Sequence, residues 1–242
     1  MAYFFCLDHR AKLLAVFSPK CASTTLRDWL RALEQHGDAG GFGQAAHPQG
    51  QRWFVNPEDV IAYRDYFKVL FLRDPLARLV SFYAHWVVRK PGVWSFADHE
   101  RRFWLDRKSF RRFLYALDHL HRNQLRFQHH LEPQMARTDG IDFDRVVLVE
   151  ALRPGLMELN HRLGFDYLPP HATRTHYDRR IAEPAADRSP QWLRSHTVPE
   201  NRWFFDEELQ VLGENLYVPD ISCYRRHGGK TVTCFTEFGL TC

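Results

Sequence analysis

Lys20, Ser23, Thr24 and Thr25 stand close together and could hold an anionic oxygen between them. Lysine supplies a point charge and the hydroxyls supply donors. The apolar run Leu13-Leu14-Ala15-Val16-Phe17 precedes them and breaks at Ser18-Pro19. Leu26, Trp29, Leu30 and Leu33 follow at helical spacing. The predicted order is strand, short loop, then a helix over 23–36 that stops before Gly37. The loop falls where a helix N-terminus presents unpaired N–H groups and the positive end of its dipole, a place suited to phosphate or sulfate. A plain strand-to-helix turn with a capped helix is the other reading. A nucleoside-triphosphate loop of the GxxxxGK[ST] type needs glycines, and this stretch has none.

A second set of such residues lies at Arg73, Arg78 and Ser81, in RDPLARLVSFY. The preceding run, Tyr66 to Leu72, is continuous and apolar, as a buried parallel strand would be. Asp74 suits an N-cap and Pro75 a first helical residue. The predicted helix continues to about Lys90, with Leu76, Leu79, Val80, Tyr83 and Val87 on its apolar face and Arg78 and Ser81 sharing another. Both sets therefore put anion-binding groups at the carboxyl ends of apolar strands, where open parallel sheets bind ligands.

Pro19-Lys20-Cys21-Ala22-Ser23-Thr24-Thr25 resembles the P-K-x-x-[ST]-[ST]-[ST] loop of sulfotransferases that use 3′-phosphoadenosine 5′-phosphosulfate (PAPS). RDPLARLVSFY resembles their R-x-P-x-x-R-x-x-S-x-Y element at every fixed position. His130-Leu131-Glu132-Pro133-Gln134 is similar to an H-x-x-P-Q element of the carbohydrate-type branch. The resemblance spans about residues 12–165. It implies a three-layer, P-loop-like α/β fold with a mostly parallel central sheet flanked by helices. It also implies transfer of a sulfonate group from PAPS to an acceptor hydroxyl, of a carbohydrate by branch, with no metal required. Residues 19–25 would hold the 5′-phosphosulfate side of the donor, with Lys20 neutralising the leaving oxygen, and Arg73 and Ser81 would hold the 3′-phosphate. The general base stays open between His47, in the Gly-rich loop 37–51, and His130, with Glu132 third.

The totals fit one globular domain over 1–242, a nucleotide-binding core with a loop-rich region and a helix after residue 166. The formal charge of +4, from 33 Lys+Arg against 29 Asp+Glu, is too mild for a dedicated nucleic-acid binder. Arginine outnumbers lysine, which suits phosphate and sulfate recognition. The five cysteines, at 6, 21, 223, 234 and 242, form no CxxC pair and read as reduced thiols, with Cys223–Cys234 pairing as the alternative. His119, His121, His129 and His130 match no metal-ligand spacing. No apolar run is long enough to cross a membrane and no signal peptide is evident, so a cytoplasmic enzyme is expected.

The N-terminus forms two short strands turning at Asp8-His9-Arg10. A short helix starts at Asn56-Pro57. An irregular aromatic and basic insert covers 91–107, and a helix covers 108–120. A third strand lies at Asp142–Glu150, and a helix from Leu152 to Leu163 is stopped by Gly164. A mobile loop region follows at 166–202, carrying Arg174, Arg179 and Arg180. The last helix is expected at 203–217, and a hairpin in the tail, residues 220–242. Two rival functions remain: a P-loop phosphotransferase, which would need magnesium, and a non-catalytic module that binds sulfated ligands or nucleotides. The intact Lys20, Arg73 and Ser81 favour catalysis.

Overall fold

The computed structural model describes residues 4–36, 60, 62–90, 108–124, 130–170 and 181–232. His47, the expected helix at 56–59, the insert 91–107, Arg174, Arg179, Arg180, Cys234 and the end of the tail lie outside them. The described residues divide into two compact units, Met1–Arg73 with Gln134–Arg174, and Asp74–Pro133 with Thr175–Cys242.

The first unit holds the sheet. Strands β1 (Phe4–Asp8) and β2 (Leu13–Phe17) form the expected antiparallel hairpin. β3 (Phe67–Leu72) and β4 (Arg145–Leu148) add in parallel, so the order is β1-β2-β3-β4. All five residues of β2 are buried, which accounts for a run with no alternation. Leu13, Ala15, Phe17, Val69, Phe71 and Val147 face helices α1 (Ser23–His36) and α4 (Leu152–Leu163) in one core. Leu14, Val16, Leu70 and Leu72, on the opposite face, are buried as well. Trp29 Nε1–H donates to Asn160 Oδ1 at 2.8 Å, tying α1 to α4 through a polar pair that would be costly to bury unsatisfied. Gly164 ends α4 in the left-handed conformation, φ 62°, as expected. β4 is shorter than expected and gives way to a 3₁₀ turn at Val149–Ala151.

The second unit is helical. Asp74 caps α2 (Pro75–Tyr83), its Oδ1 accepting from Leu76 N–H at 2.9 Å, while Oδ2 accepts from Val232 N–H at 2.6 Å. The helix does not run on regularly to Lys90. Ala84–Arg89 forms a wider π-helical turn, which brings Ala84, Val87 and Val88 into the core together. Arg194 Nη1–H donates to Val88 C=O at 2.9 Å, meeting a carbonyl near the end of that turn. α3 (Phe110–Arg122) starts at a Ser109 cap and buries Phe110, Phe113, Leu114 and Leu117.

Three expectations for the C-terminal third are corrected. The segment 166–202 is not all loop. It contains α5 (Pro190–His196), capped by Ser189, and it buries Ala185, Ala186, Leu193 and Val198. A single helix over 203–217 is replaced by a 3₁₀ turn, Asn201–Phe204, and α6 (Glu207–Leu216), capped by Asp206. The start of the expected tail, 220–242, is helical instead: it lies in α7 (Val218–Arg226), where Pro219 in the first turn starts a new helix and needs no N–H there.

Gly155 on α4 shows how closely that helix lies on the sheet. A Cβ there would overlap Val147 Cγ1. Alanine at an exposed helical glycine ordinarily stabilises by about 1 kcal/mol. Here the overlap reverses the sign, and Gly155→Ala should lower stability by about 1–3 kcal/mol in thermal or urea unfolding.

Candidate functional site

In the first unit the chain leaves β2 through Ser18 and Pro19 and enters α1 at Ser23. Cys21 N–H bonds Ser18 C=O at 3.3 Å, and the first helical bond runs from Leu26 N–H to Ala22 C=O at 3.0 Å. The N–H groups of Ser23, Thr24 and Thr25 precede that bond and have no acceptor within the helix. Lys20 and Ala22 have φ of 68° and 53°, a left-handed pair flanking Cys21. Loops of this hand turn successive N–H groups into an anion-binding concavity. Lys20 and Ser23 are half-buried, Thr24 is exposed, and Thr25 is buried.

Arg73, the residue after β3, joins this loop. Its Nη1–H donates to Lys20 C=O at 2.8 Å. Gln134 meets Arg73 through both ends of its side-chain amide. Its Oε1 accepts from Arg73 N–H at 3.0 Å, and its Nε2–H donates to Arg73 C=O at 2.9 Å. The Cys21 thiol donates to the same Oε1 at 2.7 Å and lies 3.1 Å from Ser18 Oγ. The last position of the H-x-x-P-Q element was the available signal. Of the expected anion residues, Lys20, Cys21 and Arg73 are thus joined through one guanidinium and one buried amide.

The second unit holds the remaining residues and divides RDPLARLVSFY into two kinds. Ser81 is the one residue of α2 that is not buried. Arg78 is 2% exposed and its Nη2 donates to the carbonyls of His130, at 3.0 Å, and Glu132, at 2.9 Å. Tyr217 O–H donates to the carbonyl between them, that of Leu131, at 3.0 Å, and burial raises its pKa so that it stays a donor. Tyr83 is buried and donates to Lys108 C=O at 2.9 Å. Arg78 and Tyr83 therefore serve the fold, and Ser81 is the motif residue of α2 that a ligand can reach. His130 is half-buried, with its ring packed edge-on to Trp86 at 5.7 Å.

A cavity of about 520 Å³ opens at the opposite end of β2 and β3, lined by Lys12, Arg64, Asp65, Tyr66, Asp144 and Arg162. It lies away from the loop, and its charges are partly matched, Lys12 to Asp65 at 2.7 Å. Cys6, Cys21 and Cys223 form no disulfide among the described residues, and burial pushes the pKa of Cys6 up to about 12. Among the described residues there is no group of three or more His, Cys, Asp or Glu that could hold a metal ion, and no helix long and apolar enough to cross a membrane.

A family model described as "Sulfotransferase family" matches residues 3–224. The chain belongs to that family, whose P-loop-like α/β fold agrees with the four-stranded, mostly parallel sheet. It is a sulfotransferase-family protein, which makes sulfonate transfer its general chemistry. No curated protein and no solved structure gives a match.

The two kinds of motif residue separate in experiment. Arg78→Ala leaves the carbonyls of residues 130 and 132 without their donor and opens a cavity. It should lower stability by about 2–4 kcal/mol. Ser81→Ala should leave stability within about 0.5 kcal/mol. Urea unfolding of both variants checks this.

Proposed function

We propose that the protein transfers a sulfonate group from PAPS to an acceptor hydroxyl, and that the acceptor is a carbohydrate or similar glycan-like molecule. The observation that carries the reading is the left-handed turn at Lys20 and Ala22, which leads into the first turn of α1, whose N–H groups have no acceptor within the helix. That arrangement suits a tetrahedral anion, and the H-x-x-P-Q element favours the carbohydrate-type branch.

The donor supplies an activated sulfonate, so the chain's work is positioning and charge stabilisation. The N–H groups and hydroxyls of Ser23, Thr24 and Thr25 hold oxygens of the 5′ side. Lys20 offsets the charge that grows on the bridging oxygen as the S–O bond breaks. Arg73 and Ser81 take the 3′-phosphate. Arg73 Nη1 is engaged with the loop, and the guanidinium has further N–H donors to offer. A histidine takes the proton from the acceptor hydroxyl as the new S–O bond forms. His47 and His130 are the two candidates for that base, and Glu132 is the third.

Calorimetric titration without magnesium tests the donor site. Adenosine 3′,5′-bisphosphate should bind at least about tenfold more tightly than 5′-AMP or ATP, a difference of roughly 1.4 kcal/mol from the 3′-phosphate contacts. Equal binding of all three would remove Arg73 and Ser81 from the proposal and advance a phosphotransferase.

Steady-state rates test the chemistry. Lys20→Ala should cut kcat by roughly 10²–10³-fold. Of His47→Ala and His130→Ala, the one that removes the base should lose about 10²–10⁴-fold in rate and keep bisphosphate affinity.

A further inference from the structure

We infer that Gln134 is the positioning residue of the anion loop, a side-chain latch that fixes Arg73 and the turn at Lys20–Ala22 in one geometry. The ligand named in the test rests on the function proposed above. The latch itself rests on geometry alone.

β3 and β4 stop pairing at Leu72 and Leu148. Arg73 is the next residue, and its backbone has passed the end of the ladder. The Gln134 amide takes the place of a neighbouring strand there, accepting from Arg73 N–H at 3.0 Å and donating to Arg73 C=O at 2.9 Å. With its backbone held at both groups, Arg73 reaches Lys20 C=O with Nη1 at 2.8 Å. The same Oε1 accepts the Cys21 thiol at 2.7 Å. One amide therefore acts on the loop twice, directly through Cys21 and indirectly through Arg73 and Lys20.

The chemistry of the residue matters. Gln134 is 2% exposed, where an apolar side chain would ordinarily be favoured. A primary amide can accept from Arg73 N–H and Cys21 S–H while donating to Arg73 C=O. Methionine has similar length and can do none of this well. Glutamate keeps the acceptor for Cys21 and for Arg73 N–H.

Cys21 reports on the latch without any nucleotide. It is fully buried, so its alkylation requires local opening of the loop. Cys6 is also buried, in β1, and reports on the opening of the sheet. Gln134→Met and Gln134→Glu would be treated with iodoacetamide and the modified cysteines resolved by peptide mass spectrometry. Adenosine 3′,5′-bisphosphate affinity would be measured alongside.

Loss of about one hydrogen bond's worth of closure corresponds to roughly tenfold. Gln134→Met should raise Cys21 labelling about tenfold or more, leave Cys6 labelling as in wild type, and weaken the bisphosphate by a similar factor. Gln134→Glu should recover part of both effects, and it carries the test if the Met variant does not fold. Unchanged Cys21 labelling would overturn the latch. So would Cys6 and Cys21 rising together, which would make Gln134 a general stabiliser. Faster Cys21 labelling with unaltered bisphosphate affinity would overturn its positioning role. If the wild-type protein fails to bind the bisphosphate, the proposed donor is wrong, and the two labelling rates alone decide the latch.

Discussion

The candidate site depends on a left-handed turn built without glycine. Lys20 and Ala22 both adopt positive φ, and each such residue costs about 1–2 kcal/mol relative to ordinary backbone. Conformations of this kind persist where their surroundings over-determine them. Here the surroundings are specific. Pro19 restricts one side, α1 begins on the other, and Cys21 is drawn inward to Ser18 and Gln134. Arg73 holds the Lys20 carbonyl. A glycine-rich loop would reach the same hand at lower steric cost and with less rigidity. In this chain the strain and the hydrogen bonds that oppose it are placed where an anion would sit.

The same economy appears in the second motif. Its fixed residues divide between structure and ligand. Pro75 begins α2, Tyr83 fills the core, and Arg78 gathers the carbonyls of residues 130 and 132. Together with Tyr217 it satisfies three consecutive acceptors leading to Pro133. Buried carbonyls without partners are costly, so this segment depends on those donors. Arg78, which shares a helix face with Ser81, thus donates to backbone carbonyls.

Much of this was legible in the sequence. The strand, loop and helix of residues 13–36, the cap at Asp74-Pro75 and the end of α4 at Gly164 follow from local rules, because spacing, capping and backbone freedom act within a few residues. The hand of the turn at Lys20 and Ala22 was not legible, since no glycine marks it. Helix α5 was hidden by polar composition, although Ser189-Pro190 is a good start signal. The π-helical turn after Tyr83 arises from how Ala84, Val87 and Val88 are accommodated in the core, which periodicity cannot express. Gln134 is visible in the sequence as the last residue of a motif, but its contacts include a thiol 113 positions earlier in the chain. His47 falls outside the described residues, so the choice of base rests on sequence.

The order in which the first unit is assembled along the chain has a consequence for synthesis. β1, β2 and α1 are complete by residue 36, β3 by residue 72, and β4 only at residue 148. A nascent chain that has emerged as far as α3 carries the whole Lys20–Thr25 loop yet lacks Gln134 and β4. Its β3 has an unpaired edge, and its α1 lacks α4 beside it. The ribosome therefore releases an apolar parallel edge early and covers it late, the situation in which unfinished sheets pair with the wrong partner. The long stretch between β3 and Gln134 makes the loop one of the last parts of this unit to acquire its final shape.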